Sequence, residues 1–232
     1  MLGIGPGKMP SCLILLFTSD MQDGYSSLVR SLGAKRVKPT CFSHVSVGIV
    51  DGEPLAFGCS YAGSLTADIV HAFCVAGIRE VIGIGFCGSL DTKLQLGDLV
   101  ISEKIVGKDG VSDAYVKDIH PDFRYVEQWV DCFPQSKKAT ILSWKNLFSE
   151  STEDIQAWLK SGIKVVDLES AALFSVCQAW SVPCVSILIV ADNITKQERL
   201  HDVYRQSYRL LGKMRKKTIS VVREHLKNKK AS

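Results

Sequence analysis

Short apolar runs alternate with stretches of helical spacing along most of the chain, the pattern of an α/β fold. Cys12–Phe17 reads as a buried strand and Gly24–Leu32 as a helix. Val45–Val50 and Leu55–Cys59 flank Asp51-Gly52, a two-residue hairpin signal. Ser64–Ala76 has helical periodicity and stops at Gly77. Val81–Gly85 is a strand entering a glycine-rich loop, and Asp98–Ile105 is the next strand. Ala139–Ser143 predicts another strand, and Thr152–Ser161 a helix ended by Gly162. A short strand at Val165 leads into the helix Ser170–Trp180 and then the buried strand Val185–Val190. Glu198–Asn228 predicts one long or broken helix. Two stretches break the pattern. Asp113–Phe133 is polar, aromatic-rich and irregular, which suits a segment that covers a site or an interface. Residues 1–11, with GIGPGK, are expected to be irregular and mobile. The expectation is one three-layer α/β domain over residues 1–232, around a mixed, twisted central sheet.

Composition narrows the function. At 232 residues, with 46% apolar and 22% charged positions, the chain can bury a sizeable core. Much of its net charge of +4 lies in residues 212–232. There Met214, Ile219, Val222 and Leu226 keep near-helical spacing, so a terminal helix with a solvated basic face is expected. No aromatics stand among those basic residues, which argues against nucleic-acid binding. The eight cysteines form no Cys-x-x-Cys pair and no zinc spacing, so no metal is expected and a reducing, cytoplasmic compartment fits. Leu13–Phe17 is too short for a signal sequence, and no stretch is long enough to span a membrane.

The candidate chemistry lies in VVDLESAALFSVCQAWSVPCVSILIVADNI, residues 165–194. Glu169 stands where a strand gives way to a helix, and Asp192 just past the next apolar run. In open α/β sheets ligands bind at the carboxyl ends of strands, so both acids are expected at one rim together with Gly83–Ser89. Gly83-Ile84-Gly85-Phe86-Cys87-Gly88 matches G-x-G-x-x-G, but the chain runs on through Asp91-Thr92-Lys93 into another strand with no crossover helix. That argues against a dinucleotide fold and a nicotinamide oxidoreductase. The glycines are expected to let backbone lie close to a ligand.

Three blocks carry a resemblance. Asp167-Leu168-Glu169-Ser170-Ala171 resembles the acid-Met-Glu-x-Ala signature of the nucleoside phosphorylase family, which includes purine and uridine phosphorylases and methylthioadenosine nucleosidases. Ser186 to Asn193 is similar to its strand ending in Ser-Asp, and Ile82–Leu90 followed by Leu96–Val100 to its glycine-rich loop and next strand. The blocks come in the family's order across roughly residues 12 to 226.

The resemblance implies cleavage of a nucleoside's N-glycosidic bond. It makes Glu169 the acceptor for ribose hydroxyls, with Leu168 packing beneath the sugar in place of methionine. Asp192 becomes the general acid that protonates a purine ring nitrogen, which requires its pKa to be raised by burial. Ala191 replaces the usual serine before it. Phe148 would stack on the base, with Cys87, Gly88, Val166 and Asp167 around it; read by itself, Phe148 is equally a core residue. Inorganic phosphate is the implied co-substrate, and a homodimer or a hexamer built as a trimer of dimers the implied assembly, with Tyr115, Phe123, Tyr125 and Trp129 adding contact area.

The phosphate pocket departs from the family. Ser19, Asp23, Gly85 and Phe86 make up this phosphate or water pocket, and Asp23, Gly83 and Phe86 stand where the family has two arginines and a serine. A carboxylate there repels phosphate. Arg30, Lys35, Arg36 or Lys38 remain as substitutes, and Asp20 or Asp23 could instead activate water. Phosphorolysis, phosphate-independent hydrolysis, and nucleoside binding or storage without turnover are the readings carried forward.

Overall fold

The computed structural model describes residues 2–3, 9–196 and 200–229, with no side-chain description at 196 or 200–208. The expectation for residues 1–11 therefore falls partly outside the described residues, although Leu2 is buried.

The sheet has nine strands: β1 (Cys12–Phe17), β2 (Lys35–Pro39), β3 (Val45–Val50), β4 (Glu53–Ser60), β5 (Glu80–Ser89), β6 (Leu99–Lys108), β7 (Lys137–Trp144), β8 (Val165–Asp167) and β9 (Cys184–Asn193). Their order is β2-β3-β4-β1-β5-β8-β7-β6-β9, and β5 also pairs with β9, so the last five strands close on themselves. The pairing is mixed: β1 runs parallel to β4 and β5, and β5 parallel to β9, whereas β5 meets β8 and β6 meets β9 antiparallel. This is the mixed α/β sheet expected.

Helices α2 (Ala62–Val75) and α5 (Ser170–Ala179) cover one face, burying Phe73, Leu173 and Phe174. Helices α1 (Met21–Leu32), α3 (Phe123–Cys132) and α6 (Leu200–Asn228) cover the other with Leu28, Trp129, Ile219 and Val222. The remaining α-helix, α4 (Thr152–Lys160), starts in a capping box between Ser151 and Asp154. The β3–β4 hairpin turns at Asp51 and Gly52, both at positive φ (48° and 87°), as a type I′ turn requires. Near its C-terminal end α6 is tied to this hairpin: the Arg223 guanidinium donates to both Asp51 oxygens, at 2.7 and 2.5 Å. Lys229 pairs with Glu80 at 2.7 Å.

Three readings of the pattern need correction. The segment Asp113–Phe133 contains a regular helix, α3, capped by Asp122, which accepts from the Arg124 and Tyr125 N–H groups. Tyr125 and Trp129 are buried in the core beneath it, so they do not supply interface area; Phe123 is 62% exposed. Strand β2 was not anticipated because KRVKP has no apolar alternation; it is an exposed edge strand, where lysine and proline discourage further pairing. The glycine-rich loop is part of strand β5. A Cβ on Gly83 would meet the Phe17 ring at 2.4 Å, and one on Gly85 would meet Phe17 at 2.8 Å. These two glycines make room for a core phenylalanine, not for a ligand.

Candidate active site

Gly88 lies between the two strands that lead to the expected acids. In the sheet it is opposite Val166 of β8 on one side and Asp192 of β9 on the other. The β5–β9 register slips between Cys87 and Gly88, so Asp192 is brought level with Gly88 and Ala191 is skipped. A Cβ on Gly88 would lie 2.9 Å from Asp192 Oδ1, so glycine is what lets this carboxylate lie over the strand. Asp192 is 9% exposed and Glu169 5%.

Glu169 is fixed from two directions. Its Oε1 accepts the Ala62 N–H at 2.8 Å and its Oε2 the Leu168 N–H at 3.3 Å. Ala62 opens α2 with φ +61°, a left-handed conformation that costs a non-glycine residue about 1–3 kcal/mol. That strained residue donates the N–H that holds Glu169. It escaped the sequence reading, because alanine in front of a helix carries no signal for positive φ. An ionised carboxylate has about four acceptor positions, so two backbone bonds leave room for two hydroxyl donors.

Asp167, expected at the base, is engaged inside the protein instead. Ser143 Oγ donates to its Oδ1 at 2.5 Å, and Ser170 donates to its Oδ2 through both N (3.0 Å) and Oγ (2.5 Å). The Ala171 N–H in turn donates to Ser143 Oγ at 2.8 Å. This network locks β7, β8 and the start of α5 together, and so sets the position of Glu169 two residues on. Burial pushes Asp167 above the usual carboxylate range. Burial, and then the Asp167 charge, do the same to Glu169. The Cys87 thiol is pushed up by burial and then by the charges of Asp167 and Asp192.

A raised carboxyl pKa favours the protonated form in the folded state. The associated stability is complete below the ordinary value and is lost as pH rises through the raised one. The thermal midpoint should therefore fall as pH is raised from about 5 to about 8, and Glu169→Gln should flatten that fall. Equal slopes for the two proteins in differential scanning calorimetry would contradict this assignment.

The remaining expected residues are dispersed. Leu168 is buried at 8% exposure, consistent with packing, while Phe148 is 93% exposed on the turn after β7 and is not a core residue. Ser19 is exposed, and Asp20 is committed as the N-cap of α1, accepting the Asp23 N–H at 3.2 Å. Asp23 stands in the first turn of α1, where the helix dipole favours an acid. Gly85 faces Phe17, and Phe86 points to the other side of the sheet, against α6. Lys35, Arg36 and Lys38 lie on the edge strand β2. No cluster of potential metal ligands occurs among the described residues. No helix there is long and apolar enough to cross a membrane.

The mixed α/β sheet thus carries two buried acids, Glu169 just past β8 and Asp192 near the end of β9, and strand ends are where α/β sheets bind ligands. Residues 15–223 match the family profile described as phosphorylase superfamily, and the chain belongs to that family. Among curated proteins it is 25% identical over 130 residues to a DeoD-type purine nucleoside phosphorylase of Caldanaerobacter subterraneus subsp. tengcongensis, covering 53% of this chain and 56% of that protein. It is 27% identical over 135 residues to the uncharacterized protein R802 of Acanthamoeba polyphaga mimivirus, covering 57% of this chain and 53% of that one. The chain thus spans about half the length of the curated relatives it matches. Two solved structures share the fold. A futalosine hydrolase mutant of Helicobacter pylori strain 26695 superposes with a TM-score of 0.71 at 16% identity, over 94% of this chain and 98% of that one. Uridine phosphorylase of Vibrio fischeri ES114 gives 0.70 at 18% identity, over 93% and 94%.

Proposed function

We propose that the protein cleaves the N-glycosidic bond of a purine-type nucleoside. The observation that supports this reading is that β8 and β9 flank Gly88, with Glu169 two residues past the end of β8, anchored by backbone donors, and Asp192 buried near the end of β9. As the bond breaks, positive charge develops on the sugar and negative charge on the base. Glu169 orients the ribose hydroxyls and stabilises the cationic sugar, and Asp192 delivers a proton to a ring nitrogen of the departing base. The name of the Caldanaerobacter relative supports purines as the substrate class.

Phosphate is the nucleophile that family membership favours. Hydrolysis is the second reading, and it has its own support. Phe17 fills the space where a side chain at position 83 would have to lie, and Asp23 puts a carboxylate at the start of α1. Assembly as a homodimer or trimer of dimers belongs to the same proposal, with the exposed Phe123 and Trp180 as apolar contact area. The test is base release from a panel of purine and pyrimidine nucleosides, with and without phosphate. Purine release is expected. Strict phosphate dependence identifies a phosphorylase, and release without phosphate a hydrolase. Nucleoside binding without release under either condition would overturn the proposal in favour of a binding protein.

A further inference from the structure

Beneath α6 there is a cavity of about 520 Å³ between that helix, α1 and β5. Asp23 and Phe86, the residues that replace the family's phosphate ligands, both line it. Around them stand Arg30 of α1 and Arg209, Lys213, Arg215 and Lys216 of α6. Among the described residues, five cationic side chains stand against one carboxylate, an excess of four positive charges. Among the described residues none of the five takes part in an ion pair.

Arg215 is the most committed of them. Its guanidinium carbon lies 6.0 Å from the centre of the Phe86 ring, and its Nε is buried with no hydrogen-bond partner among the described residues. A buried N–H without an acceptor is a cost that an incoming oxyanion would remove. Arg209, Lys213 and Lys216 are four and three residues apart and so share one face of the helix. Like charges at that spacing weaken a helix, so folding alone does not reward the arrangement. It favours an anion.

We propose that this cavity binds a small ligand carrying a pyrophosphate group. One phosphate brings about two negative charges near neutrality and a pyrophosphate group about twice that, which better matches an excess of four. The volume also lies within the roughly 300–1,000 Å³ of small-molecule pockets, far more than a single phosphate fills. Arginine offers paired N–H donors to phosphate oxygens, so Arg209 and Arg215 are the specific contacts, and Lys213 and Lys216 act as point charges. The site takes in Asp23 and Phe86 of the expected phosphate or water pocket and leaves out Glu169 and Asp192, so anion binding can be measured apart from cleavage.

Isothermal titration of the full chain with inorganic pyrophosphate, adenosine diphosphate, orthophosphate and sulfate, at matched ionic strength, tests the proposal. Pyrophosphate or the diphosphate should bind at least about tenfold more tightly than orthophosphate, with affinity falling as salt rises. A preference for the nucleotide places a base in the cavity as well; equal affinities assign recognition to the pyrophosphate group alone. Arg215→Gln should weaken binding by about tenfold or more. The exposed pair Lys213→Gln with Lys216→Gln, whose thermal midpoint should be unchanged, should weaken it severalfold. Orthophosphate binding as tightly as pyrophosphate, affinity insensitive to both variants, or no binding of any of these anions would overturn the proposal.

Discussion

Asp192→Asn should slow purine nucleoside cleavage by about a hundred- to ten-thousandfold, the usual contribution of a general acid. Asparagine keeps the size of the side chain over Gly88 but has no acidic proton to transfer to the leaving base. Without that proton the base departs as an anion, and the barrier rises. The loss should appear in kcat, with nucleoside affinity and thermal midpoint near the parent values, because the contact in the bound state is largely preserved. A nucleoside whose base leaves readily without protonation should lose far less, and this difference separates an acid from a merely structural aspartate. Steady-state kinetics with two nucleosides of different leaving-group basicity makes the comparison. Equal losses for both would assign Asp192 to the architecture of the β5–β9 edge.

Glu169→Gln should lower kcat/KM by about ten- to a hundredfold, corresponding to about 1.5–3 kcal/mol for hydrogen bonds to a charged acceptor. The amide keeps one oxygen for the Ala62 N–H but turns the other acceptor position into a donor, facing the Leu168 N–H and the ribose. Above the raised pKa of Glu169, where the parent side chain is ionised, the variant also lacks the charge that offsets the cationic sugar of the transition state. A 2′,3′-dideoxynucleoside should bind parent and variant almost equally and show a smaller loss of turnover, since it has no hydroxyls at those positions and only the charge on the sugar remains to be offset. A variant that discriminates against the dideoxy substrate as strongly as the parent would remove Glu169 from the ribose.

The fold was largely legible because its signals are local. Eight of the nine strands are marked by apolar-rich segments, and Asp51-Gly52 sets the hairpin by backbone conformation alone. Both acids stood out in the sequence because each ends or follows a strand. What could not be read depends on neighbours distant in sequence. Whether Gly83 and Gly85 admit a ligand or a core ring depends on Phe17, about sixty-six residues earlier, across the β1–β5 pair. The acceptors of Asp167 are filled by serines that look unremarkable in their apolar runs. The basic face of α6 reads as solvated from its spacing, yet part of it turns toward α1 and Phe86, because Leu211, Ile219 and Val222 determine which side of the helix is buried. The expected weak phosphate pocket rested on three positions in α1 and β5. The cations of α6 lay outside that comparison.

The central claim is that Glu169 and Asp192 hold the two halves of one nucleoside. A crystal structure of the Asp192→Asn protein with a purine nucleoside bound tests it most directly. The account predicts the ribose hydroxyls within hydrogen-bond distance of the Glu169 carboxylate, which keeps its bond from the Ala62 N–H, and a purine ring nitrogen facing the side chain at position 192. A nucleoside bound away from Gly88, or bound there with its ribose turned from Glu169, would contradict it.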